Sequence, residues 1–84
     1  MATYPLTDPA YRAFVLHLVK LRGDAGLTQR QLAERLGRDQ SFVAKSERCE
    51  RRVDPAEFRA FVLALGGDPA AEFAAVSAGL TAGG

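Results

Sequence analysis

The tripeptide Asp-Pro-Ala occurs three times in this chain, beginning at Asp8, Asp54 and Asp68. Proline disrupts a strand ladder or a helix interior, but it suits the first turn of a helix, where its missing N–H has no intrahelical partner to lose. An aspartate just before it supplies a carboxylate that accepts from the free N–H groups of that turn. Three helix starts are thereby fixed, and no alternating β-branched run competes with them. A chain punctuated in this way is expected to be all-α.

The spaces between these starts hold two more helices. The first helix should run from about Asp8 to Asp24, with Tyr11, Phe14, Val15, Leu18, Val19 and Leu21 in one broad stripe and Leu16 outside it. Thr28 opens the second, with Gln31 placed for a capping box and Leu27 and Leu32 for a hydrophobic staple. Gly37 ends it, in the left-handed conformation that glycine favours. Asp39 is expected to cap a third helix from Gln40 to about Arg48. Asp54 opens the fourth, with Glu57 completing a second box, Val53 and Phe58 as its staple, and Gly66-Gly67 as its stop. The fifth begins at Asp68 and carries Phe73, Val76 and Leu80, and the final TAGG is expected to fray.

At 84 residues the chain suits one domain with one core, spanning residues 1–84. No stretch has the length of a membrane span, and no signal-peptide pattern is present, so a cytoplasmic location is expected. One cysteine, Cys49, cannot close an internal disulfide, and with one histidine, His17, it cannot build a zinc site. No His–acid–nucleophile set, phosphate loop or metal-spaced cluster is visible, so neither an enzyme nor a cofactor is expected, and no small-molecule ligand is evident. The net charge is only +1, but between Arg35 and Arg52 six basic residues face three acidic ones, which points to an anionic partner at that surface.

The third helix carries the functional question. On a helical wheel Val43, Ala44 and Glu47 lie on one side, Ser41, Lys45 and Arg48 lie opposite, and Phe42 and Ser46 occupy a flank. A short capped helix, a glycine turn and a second short helix with small, polar and basic residues outward match the helix-turn-helix unit. Its second helix enters the major groove of double-stranded DNA.

Over roughly Leu18 to Pro69 the chain resembles the lambda repressor/Cro-type (XRE) helix-turn-helix regulators, through LRGDAGLTQRQLAERLG, then FVAKSERCERR, then ALGGDP. The resemblance implies a compact five-helix domain with its helix-turn-helix at about 28–48. It places Gln40, Ser41 and Lys45 where bases are read. It also places Gln29, Arg48, Arg51 and Arg52 where the DNA backbone is held, with Gln29 able to brace Gln40 and with weaker support for Arg30, Arg38 and Phe42. Two departures stand out. Cys49 replaces a glycine at a site favouring positive φ, where a redox role would need thiolate character. Ser46 stands where an apolar residue is usual.

Arg22 can be read without the resemblance. It falls within the apolar stripe of the first helix, where an unpaired charge is costly, and Glu47 on the inward edge of the third helix can answer it. The resemblance implies the same pair. The expected function is a sequence-specific DNA-binding regulator, a repressor bound as a homodimer to a palindromic operator. Its tentative dimer contact is Phe73, Val76 and Leu80 within helix 68–80. The alternative is an antitoxin or interaction adaptor built on the same helices, and a third reading is a coactivator with little sequence preference.

Overall fold

In a computed structural model of the protein, the backbone is described for residues 8–83 and the side chains for residues 8–79. Five helices follow one another: α1 (Pro9–Asp24), α2 (Gln29–Leu36), α3 (Gln40–Glu47), α4 (Pro55–Ala64) and α5 (Pro69–Gly83). Among the described residues there is no strand.

The helix starts follow the local chemistry closely. Asp8 accepts from the N–H groups of Ala10 and Tyr11, Thr28 and Gln31 form a reciprocal capping box, and Asp54 and Glu57 form another. Asp39 is the exception: its backbone is extended as a cap requires, but its carboxylate makes no bond to the α3 turn. The exits share one geometry. Gly26, Gly37 and Gly66 take positive φ, and so does Cys49 with φ of 60°. After Cys49 the N–H of Glu50 reaches back to the carbonyl of Lys45 at 2.8 Å, closing the helix as glycine exits do.

Leu18, Leu32, Ala33, Val43, Val53, Phe58, Phe61 and Val62 form the buried cluster, so every helix from α1 to α4 contributes to it. Helix α5 joins from outside through Val76, which is buried, and through Glu72, whose carboxylate lies 2.9 Å from His17 Nε2 on α1. It continues through Gly83, so the expected fraying from Thr81 is not seen over the described residues. Burial of Val76 also removes it from the symmetric contact proposed with Phe73 and Leu80. Phe73 is 56% exposed, and the Leu80 side chain lies outside the described residues.

Candidate nucleic-acid interface

Helix α3 is eight residues long, and its inward side is Val43, Ala44 and Ser46. Gln40, Ser41, Lys45 and Arg48 are all exposed on its other side. So short a helix cannot hold its own orientation by apolar area alone. Its fixings come from elsewhere.

The first fixing is ionic. Arg22 Nε donates to Glu47 Oε2 at 2.6 Å and Nη2 to Oε1 at 2.9 Å, while Nη1 donates to the carbonyl of Leu27 at 2.9 Å. Their side chains are 18% and 9% exposed, so both charges are largely withdrawn from water and each answers the other. The hydrogen bonds that Arg22 donates to Glu47 raise the pKa of Arg22 against the opposing effect of burial. One guanidinium thus joins α1, the turn before α2 and the end of α3.

Glu47 also accepts from Gln29 Nε2 at 2.8 Å, and Gln29 Oε1 accepts a long bond from Gln40 Nε2 at 3.4 Å. A relay therefore runs from half-buried Arg22 through Glu47 and Gln29 to exposed Gln40. It brings together four residues that the sequence reading had named separately as bridge, brace and base contact.

The second fixing was not legible beforehand. Ser46 is 1% exposed; its hydroxyl donates to the carbonyl of Phe42 at 2.7 Å and accepts from Arg51 Nη1 at 3.3 Å. Arg51 turns inward. Its guanidinium meets both carboxylate oxygens of Glu57, at 3.1 and 2.9 Å, and lies over the Phe42 ring, 4.3 Å from its centroid. Arg38 also stacks on that ring at 3.9 Å. The hydrogen bond from Arg51 holds the Glu57 carboxyl below its ordinary pKa, against burial and with help from the N–H of Asp54. Serine in an apolar position and a glutamate already assigned to a cap were the only signals of this network.

Beyond α3, Tyr11 Oη accepts from the N–H of Val53 at 2.9 Å and donates to the carbonyl of Arg51 at 3.4 Å. This clasps the segment after α3 to the first turn of α1. Arg48 is exposed and pairs with Glu50 at 2.8 Å, Arg52 is exposed, and Arg30 is exposed on the first turn of α2. Among the described residues no three His, Cys, Asp or Glu side chains come together as a metal site. No single described helix is long and apolar enough to cross a membrane.

A capped helix, a left-handed glycine and a second short helix with a polar outer row define a helix-turn-helix unit. The comparisons agree with that class. A family profile described as "Helix-turn-helix domain" matches residues 13–76. An XRE-family like protein from Pseudomonas syringae pv. tomato str. DC3000 is similar in sequence and structure. It is 46% identical, with a TM-score of 0.79 over 82% of this chain and 84% of that one. Comparison with curated proteins gave no match. The chain belongs to the XRE family of helix-turn-helix DNA-binding regulators.

Proposed function

We propose that the protein is a sequence-specific regulator that represses by occupying a palindromic operator as a homodimer. The observation that carries this reading is the exposed row Gln40, Ser41 and Lys45 on α3, with the Gln40 amide braced by Gln29. Amide, hydroxyl and ammonium groups are the donors and acceptors that base edges and phosphates require. Gln29, Arg48 and Arg52 hold the DNA backbone, with Arg30 and Arg38 at the margins, while Arg51 serves the segment that carries its neighbours. The dimer contact lies on α5, without the buried Val76 and outside the groove that Phe73 lines, and two-fold symmetry sets half-sites about 34–36 Å apart.

Selection of duplexes from a random pool tests this reading. An inverted repeat with that spacing is the expected product. Gln40→Ala should then cost ~1–3 kcal/mol on the selected site and narrow its preference over random DNA. An unchanged ratio of selected to random binding would remove α3 as the reading helix. Sedimentation on the selected duplex decides the stoichiometry: one protomer per full site would rule out the homodimer.

A further inference from the structure

Helices α1, α4 and α5 enclose a groove of about 460 Å³ to which neither α2 nor α3 contributes. Its walls are apolar, with Phe14, Val53, Phe58, Pro69 and Phe73 among them, and among the described residues its only charged lining residue is Arg59. Phe14 and Phe58 pack at a tilt with centroids 5.3 Å apart, and Phe73 meets Phe58 edge-on at 6.1 Å, so the three rings form one aromatic wall. Phe73 nonetheless stays 56% exposed.

Arg59 has no hydrogen-bond or ion-pair partner among the described residues. The acids on the surrounding helices are all engaged. Asp8, Asp54 and Asp68 accept from backbone N–H groups, Asp24 pairs with Lys20, Glu57 with Arg51 and Glu72 with His17. Among the described residues, Arg59 therefore lines an apolar trough without an ion-pair partner. A volume of this size lies in the range of small-molecule sites, which are mostly apolar with a few placed polar groups.

The geometry points to a binding site for a small amphiphilic monocarboxylate, its apolar body in the aromatic trough and its carboxylate on Arg59. The site is separate from the DNA-reading helix and stands whether or not the operator reading holds. A neutral ligand leaves Arg59 unused, and a cationic one is repelled by it.

The test uses the full chain, ¹⁵N-labelled, titrated with octanoate, octanol and octylammonium below their aggregation concentrations. Octanoate should give saturable amide shifts confined to residues lining the groove, with Kd on the order of 1 mM for a ten-atom probe. Octanol should bind about five-fold more weakly, the upper end for an exposed ion pair, and octylammonium more weakly still. In Arg59→Gln, whose side chain holds no part of the fold, octanoate should fall to the level of octanol. Phe73→Ala should weaken both. The site is overturned by shifts that do not saturate or that spread over the surface. Equal binding of octanoate and octanol, an Arg59→Gln variant that keeps the preference, or a second copy seated in the groove at the concentrations used would also overturn it.

Discussion

Helices α2 and α3 are both eight residues long and lie one glycine turn apart, yet they are held in opposite ways. Helix α2 is specified from within. Thr28 and Gln31 close its first turn, Gly37 closes its last, and Leu32 and Ala33 anchor it in the core. Helix α3 has no side-chain cap, ends on a strained cysteine, and is secured by side chains reaching in from elsewhere: Arg22 from α1, Gln29 from α2, Arg51 from the following segment. A helix closed by its own residues can be altered at its edges at modest cost. One held by its neighbours depends on a few of them heavily, and its outer face is free to carry function.

The strongest way to break this contrast is Glu47→Ala. Removing that carboxylate strands Arg22 in a site 18% exposed and releases Gln29, and should cost ~3–5 kcal/mol in urea unfolding, with DNA affinity falling as well. A variant that melts like wild type would mean that α3 is held by its apolar side alone.

Next in size is Arg51→Ala, which removes the partner of Ser46 and Glu57 and should cost ~1–3 kcal/mol. If Arg51 serves the fold, the salt dependence of DNA binding should keep its slope, whereas Arg52→Ala should reduce it by about one unit. A reduced slope in Arg51→Ala would place that guanidinium on phosphate instead. The same pair has a pH signature. The folded pKa of Glu57 is depressed, so the bridge contributes fully above the ordinary carboxylate value of about 4.5. Its contribution is lost as pH falls from there through the folded value. Acid unfolding of Glu57→Gln should lose that part of the slope.

Smaller effects sharpen the comparison at the helix ends. Thr28→Ala should cost ~1 kcal/mol, as loss of a bonded cap does, and Asp39→Ala should stay within about 0.5 kcal/mol. Equal costs would show that α3 is capped in solution after all. Cys49→Gly should raise stability by ~0.5–1 kcal/mol, because relief of the left-handed strain outweighs the added freedom of the unfolded chain. A destabilised variant would show that the Cys49 side chain contributes packing that offsets its φ.

What was legible in the sequence divides along the same line. Caps and stops depend on residues within one turn of each other, so the starts at Asp8, Thr28 and Asp54 and the exit at Gly37 could be read from a handful of letters. The pair of Arg22 and Glu47 is long-range, yet a charge inside an apolar stripe demands an answer, and only one acid lay on the inward edge of α3. Arg51 offered no such clue. Its basic neighbourhood pointed outward to DNA, and its partner Glu57 comes into reach only after the chain has turned into α4. Asp39 has the right residue type in the right place and still makes no cap bond. The Val76 side chain was assigned to a partner protomer because its monomer contacts depend on how α5 folds back across α1 and α4. The groove at Arg59 is assembled from three helices and has no sequence signature at all.

The relay that ends at Gln40 has a direction. Ionised Glu47 has no proton to give, so Gln29 must turn its –NH₂ toward it and its carbonyl the other way. Gln40 then has to meet that carbonyl with its own –NH₂. What remains outward is its oxygen and one N–H, in a set left-to-right order rather than either of the two an isolated amide could show. Reversing the sign at position 47 would turn every amide in the row. On the proposed reading of bases by Gln40, a duplex would be sorted by the polarity of a carboxylate one residue removed from the contact.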